Sequence, residues 1–331
     1  MGPGVTTAPR GEADGAVLIR RAIAPAERPL VTWKDLAVLL WLACGVVIAP
    51  MSRSFRFSAS RLAAGIAAHT ARARQARVRI MKMLKLSERD AGRIVRELQA
   101  GRLVAYLDVI RGLMLEPDFQ VSCRGLAHIA AAQSHGRGAI LWIADLVSAG
   151  DVSKVALTRE GLRIVHLSRP EHGFTTSRFG MRFLNPFRIS FERAYLAERV
   201  IFDRSNPDSA MAHMERVVRR NGIVSIMASI HEGRMLADVP FLGGRFKLAL
   251  GAVRLAVLSG APVMPVFVVR DRAGNGAFEL IIAPPLKLPQ GSREETLLGA
   301  ACEYAGALEP FVRAHPECFV GWRRVAQLTP G

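Results

Sequence analysis

The side chains with chemistry to offer in this sequence stand just past its apolar runs. Asp145 follows 138-GAILWIA-144, Arg169 follows 162-LRIVHLS-168, Asp203 and Arg204 follow 199-RVIF-202, and Ser229, His231 and Glu232 follow 222-GIVSIMA-228. An acid, a histidine and several arginines gathered at one rim suit an anionic substrate and a proton transfer. Asp145 is the most pointed of them, because a charged side chain is rarely left at the end of a buried strand without a partner or a task. Arg169, Arg204 and Arg234 carry the guanidinium fork that matches phosphate oxygens; the other reading of each is a surface or structural ion pair.

These residues need a scaffold that brings strand ends together. Runs at 138–144, 162–168, 199–202, 222–228, 262–269 and 277–283 have strand length and β-branched content, and helical stretches near 207–220, 247–259 and 292–314 separate several of them. The alternation predicts an α/β fold with a mostly parallel sheet flanked by helices, in which ligands collect beyond the carboxyl ends of the strands. Asn275-Gly276 is a hairpin signal, so the last two strands are expected to be antiparallel neighbours. Upstream, residues 58–124 read as a basic helical segment. Ser87 is placed as an N-cap with Asp90 three residues on, and Arg89, Arg93 and Arg96 share one face.

The N-terminal region carries a targeting signal. The uncharged run 36-LAVLLWLACGVVIAPM-51 lies between Arg28 and Lys34 on one side and Arg53 and Arg56 on the other. Within a segment of residues 30–57 it is expected to anchor the chain to a membrane, either spanning with help from Leu30, Val31 and Trp33 or lying in the interface; a buried helix of the main domain is the alternative. Residues 1–29 read as a flexible tail, 125–325 as the α/β domain and 326–331 as a terminal tail.

Lys and Arg outnumber Asp and Glu by 45 to 28, for a formal charge of +17, which favours anionic partners such as lipid, phosphorylated glycolipid or an acidic carrier protein. Nucleic-acid modules are not expected, since aromatics are only 7% of residues and no recognition motif accompanies the charge. No Walker loop or GxGxxG is present, and 146-LVSAG-150 lacks the first glycine of a nucleophile elbow, which argues against Ser148 as a nucleophile. Cys44, Cys123, Cys302 and Cys318 show no metal spacing and read as reduced, mostly buried thiols; no metal or cofactor is expected.

The phrase 125-GLAHIAAAQSHGRGAILWIADL-146 resembles the approach to the active site in the bacterial lipid A late acyltransferases, the lauroyl and myristoyl transferases of the lysophospholipid acyltransferase superfamily. So do 239-VPFLGGRFKLALGAVRLAVLSGAPVMPVF-267, the loop 167-LSRPEHG-173 and 315-HPECFVGWRRV-325, in that family's order. The resemblance implies a glycerolipid acyltransferase-like domain behind an N-terminal membrane-associated helix, at the cytosolic side of a bacterial inner membrane. It implies transfer of a fatty acyl chain from an acyl carrier protein or coenzyme A thioester to a hydroxyl of a lipid A type (glyco)lipid. Phe241, Gly243 and Gly244 match the family's Phe-x-Gly turn, which helps shape the acyl groove; a tight turn entering a helix at 247 explains the glycines as well.

The family's working motif is a histidine, four residues, then an acid, with the histidine as general base. The matching positions here hold Asp145 and Gly150, with Asp151 one residue late. An aspartate of ordinary pKa near 3.9 is a poor base at neutral pH, and loss of a placed base commonly costs about 10²–10⁴ in rate. Two replacements are conceivable from the sequence: His231 reaching Asp145 from the neighbouring strand end, or His166 with Glu171 in 166-HLSRPE-171. The functional expectation is thus an acyltransferase with an atypical site in which Asp145 and His231 are catalytic, the alternative being an inactive homologue that binds lipid or a partner.

Overall fold

The computed structural model describes residues 15–20, 28–229, 233–270 and 277–326. A short strand β1 (Val17–Arg20) precedes four helices, α1 (Trp33–Ile48), α2 (Arg53–Ala67), α3 (Ala71–Leu84) and α4 (Glu88–Met114). Strands and helices then alternate: β2 (Val121–Arg124), α5 (Leu126–Ser134), β3 (Ala139–Ile143), α6 (Ala149–Arg159), β4 (Ile164–Ser168), α7 (Asn185–Arg193), β5 (Glu198–Ile201), α8 (Pro207–Arg219) and β6 (Ile223–Met227). The remainder is a hairpin of β7 (Met235–Phe241) and β8 (Gly244–Ala249), then α9 (Gly251–Ser259), β9 (Val263–Arg270), β10 (Phe278–Ile282), α10 (Arg293–Ala314) and β11 (Val325–Ala326).

Seven strands form the main sheet in the order β2-β10-β9-β3-β6-β4-β5. Every neighbouring pair is parallel except β9 with β10, the antiparallel pair expected from the sequence. Every residue of β3 is buried, as a central parallel strand covered on both faces requires. Because β3, β6 and β4 are adjacent and parallel, the residues after Ile143, Ser168 and Met227 come together at one edge. The asparagine–glycine pair at 275–276 lies outside the described residues.

Four sequence expectations change. The helix placed from 247 begins at Gly251, because 244-GRFKLA-249 alternates inward Phe246 and Leu248 with outward Arg245 and Lys247, a period of two. It pairs with β7 through a two-residue turn in which Leu242 and Gly243 both have positive φ, 53° and 75°, the backbone of a primed hairpin turn. This hairpin joins β1 and β11 in a second, four-stranded sheet, so Val17–Arg20 is a strand inside the segment read as a tail. The main sheet also takes its edge strand β2 from just before residue 125. Finally, all four cysteines are unbridged, but only Cys318 is buried.

Ser87 caps α4 as expected, its hydroxyl accepting from the Asp90 amide at 3.1 Å. Helix α1 has 16 residues, and no helix among the described residues is long and apolar enough to cross a membrane. Its inner flank is fixed to α4: Gly45 sits where a Cβ would come within 2.3 Å of Ile110 Cδ1. Its N-terminus is fixed by Asp35, which accepts from Thr32 and, at 2.7 Å, from the Ser177 hydroxyl. Burial works against the Asp35 carboxylate, yet the hydroxyls of Thr175, Ser177 and Thr32 hold its pKa at about 2. The outer flank leaves Trp33, Leu36, Leu39, Leu40, Val46 and Val47 exposed, Trp33 at 76%.

Candidate active site

A cavity of about 440 Å³ opens at the shared edge of β3, β4 and β6, lined by Asp145, Ser168, Arg169, Ser229 and Arg234 among others. That volume suits a small-molecule group or part of a lipid. Two corners of it carry most of the polar chemistry.

At the corner after β3, the Asp145 carboxylate accepts from Arg324 Nη2 at 2.7 Å. The pair is only partly buried, with side chains 26% and 12% exposed. Arg324 is further held by a 2.9 Å bond to the Ala228 carbonyl and by the Phe246 ring, whose centroid lies 4.9 Å away. His231, expected as the partner of Asp145, lies outside the described residues. Ser148 then turns the chain into α6 with φ of 64°, an uncommon conformation for a residue with a Cβ, and its hydroxyl has no described partner.

At the corner after β4, residues from three elements meet. His172 Nε2 hydrogen-bonds Glu192 Oε1, and Lys154 Nζ approaches the same oxygen at 3.0 Å. Arg188 donates to Asp151 Oδ2 at 2.7 Å and lies 3.8 Å from Glu192. The local sequence explains the convergence: Arg188 and Glu192 are one turn apart on α7, and Asp151 and Lys154 share the first turns of α6. Helix α7 is itself led in by a π-helical turn at Gly180–Leu184.

Electrostatics follow from burial plus pairing. Burial alone would raise the Glu192 carboxyl, but Lys154, His172 and Arg188 overrule it and hold it well below the usual range. Burial lowers the His172 imidazole below its ordinary value even though Glu192 pulls the other way. At neutral pH Glu192 is therefore ionised and His172 neutral.

The sequence-predicted residues sort as follows. Asp145, Arg169 and Arg234 line the cavity, and no described residue forms an ion pair with Arg169 or Arg234. Arg204 is engaged outside that lining: it clasps Glu171, with Nη2 donating to Oε2 at 2.6 Å, while Arg28 binds the same carboxylate. These cations offset burial and hold Glu171 at a pKa of about 2. The His166–Glu171 pairing does not form, since His166 is buried on β4 and bonds the Ser225 hydroxyl at 2.8 Å, where burial pushes its pKa far down. Phe241 is buried against Phe246 and Phe319, and Gly243 and Gly244 serve the hairpin, where a Cβ on Gly244 would meet the Ala326 carbonyl at 2.4 Å. None of these three lines the cavity.

Sequence reasoning passed over Lys154, His172, Arg188, Glu192 and Arg324 as site residues. One signal was available: a lysine inside the apolar stretch 152-VSKVAL-157 asks for a buried acid, and the basic–acidic pair spaced by four in 185-NPFRISFER-193 offers one.

The sequence matches the family described as bacterial lipid A biosynthesis acyltransferase over residues 27–323. No curated protein matches it significantly. Among solved structures, the 1-acyl-sn-glycerophosphate (LPA) acyltransferase PlsC from Thermotoga maritima is similar at 12% identity, covering 79% of this chain and 98% of that one with a TM-score of 0.37. The family match spans nearly the whole described chain, including Asp145 and every residue of the β4 corner, and the chain belongs to the bacterial lipid A biosynthesis acyltransferase family.

Proposed function

We propose that this protein transfers a fatty acyl chain from an acyl carrier protein or coenzyme A thioester to a hydroxyl of a lipid A type (glyco)lipid, working on the cytosolic side of a bacterial inner membrane. The observation that carries this reading is the cavity at the strand ends. It combines groups able to take and hold a proton with Arg102, Arg169 and Arg234, cations without a described ion-pair partner that suit a phosphorylated acceptor. The family supports acyl transfer to lipid; the donor, the acceptor and the location are this proposal's own.

The test is acyl transfer by the full chain from labelled acyl-carrier-protein and coenzyme A thioesters to phosphorylated disaccharide lipids and lysophospholipids in mixed micelles. Transfer to a phosphorylated glycolipid is the expected result. One observation favours a second reading, an inactive lipid-binding homologue: the residue at the family's histidine position is tied to Arg324. Measurable lipid binding with no transfer from either donor to any acceptor would establish that reading instead.

The membrane contact in this proposal is an interfacial one. Helix α1 is too short to span, yet it and α2 expose Leu36, Leu40, Val47, Phe55, Leu62 and Ile66 beside the exposed Arg61. Such a surface lies in the headgroup region with Arg61 on anionic lipid. In flotation with vesicles containing phosphatidylglycerol, the wild type should rise with the lipid, and Leu36→Ser/Leu40→Ser/Leu62→Ser should remain below. Undiminished flotation of the triple variant would remove this surface from the proposal.

A further inference from the structure

Resting on the acyl-transfer reading above, we propose that His172, backed by Glu192, is the general base of this protein: its Nδ1 takes the proton of the acceptor hydroxyl as that oxygen attacks the thioester carbonyl. The new ester bond is C–O. The carbon–sulfur bond breaks as the tetrahedral intermediate collapses, and the imidazolium returns its proton to the departing thiolate, so the histidine ends neutral. No other reactant is required.

Geometry singles out His172. Its Nε2 is engaged by Glu192 Oε1, with Arg188 Nε at 3.4 Å from the same nitrogen; because the ionised carboxylate can only accept, the closer contact places the hydrogen on Nε2 and the lone pair on Nδ1. The residue lines the cavity, and its side chain keeps 22% of its surface exposed, whereas the carboxylate behind it is fully buried. That is the order of parts a base needs: a reachable nitrogen, then an orienting acid that stabilises the imidazolium once formed. The other histidine and the strand-end acid of the cavity are occupied. His166 bonds Ser225 from within the sheet, and Asp145 is held by Arg324. His213 also pairs with an acid, Glu198, but neither lines the cavity.

The surroundings keep this pair ready. His172 faces Glu192 and Arg188 from α7, Lys154 from α6 and His166 from β4, while Asp151 neutralises Arg188. Lys154 and Arg188 keep Glu192 ionised, and burial keeps the imidazole neutral and so able to accept a proton.

The test is steady-state transfer over a range of pH with the donors and acceptors named above. In the wild type kcat should fall on the acid side as His172 protonates. His172→Gln should lower kcat by about 10²–10⁴ with KM changed less than about threefold. Glu192→Gln, which removes the charge that stabilises the imidazolium, should lower kcat and move the acid limb to lower pH; a merely structural role would cost stability and leave the limb in place. A folded His172→Gln enzyme within about threefold of wild-type kcat, or a wild-type profile with no acid limb, overturns this assignment and leaves the acyltransferase reading standing. A wild type that transfers nothing to any acceptor overturns both.

Discussion

The two corners of the cavity solve opposite problems. After β3, where the family places its histidine, an acid is closed off by a single arginine from the far end of the chain, and the pair remains partly in solvent. After β4, four charged groups and a histidine are gathered from α6, α7 and the intervening loop, with Lys154 and Glu192 at 3% and 0% exposure. An isolated, half-exposed ion pair contributes little, whereas a buried network is costly to break because each member leaves its partner charged and unsolvated. The first corner is therefore easy to alter, and the second is fixed in place.

The largest expected effect follows directly. Lys154→Met removes the cation nearest Glu192 while keeping much of the side-chain volume, and leaves the carboxylate buried beside an apolar group. Urea unfolding should show a loss of about 3–5 kcal/mol. Arg324→Met at the other corner should cost about 1 kcal/mol or less, since Asp145 can turn to water. Equal losses would break the contrast between the corners.

A second effect at the β4 corner depends on pH. Glu171, clasped by Arg204 and Arg28, has a folded pKa of about 2, below the ordinary carboxylate value. A depressed folded pKa contributes stability that is fully present above the unfolded value near 4.3, and that is lost as pH falls towards about 2. Glu171→Gln should cost about 1–3 kcal/mol at neutral pH and flatten the acid side of the stability curve. An acid limb as steep as that of the wild type would show that the clasp does not hold Glu171 ionised.

This contrast also marks what the sequence made legible. Six of the seven strands of the main sheet could be read, most plainly β3, β6 and β9, which are nearly continuous apolar runs, and the antiparallel pair could be read from Asn275-Gly276; the edge strand β2 could not. Asp145 was visible because a charge at a strand end is unusual. The β7–β8 hairpin was missed because the apolar residues of 247-KLALGAVRLAVLS-259 run unbroken from strand into helix. The β4 cluster was missed for a different reason. His172, Lys154 and Glu192 are separated by 18 and 20 positions and each looks ordinary alone; only the fold, which brings α7 within ion-pair reach of α6, makes them neighbours.

A smaller and opposite effect is expected at Ser148. Its φ of 64° disfavours any side chain with a Cβ, its hydroxyl makes no cap to α6, and that hydroxyl is buried without a described partner. Ser148→Gly relieves both faults and should raise stability by about 1 kcal/mol in urea unfolding. Ser148→Ala, which removes the hydroxyl but keeps the Cβ, separates them: a gain equal to that of glycine would mean that the backbone conformation costs nothing.

The smallest effect belongs to the residue that first draws attention. Asp145→Asn keeps an acceptor oxygen in place and removes only the charge facing Arg324. The arginine would still hold the Ala228 carbonyl and lie over Phe246, so the guanidinium would not be stranded. The expected loss is about 0.5–1 kcal/mol, the range of a partly exposed ion pair. Asp145→Ala removes the acceptor as well and should cost only slightly more, because water can reach the pair from the cavity. A loss from Asp145→Asn approaching that of Lys154→Met would mean that the β3 corner is as tightly bound as the β4 corner, and the contrast between them would fail.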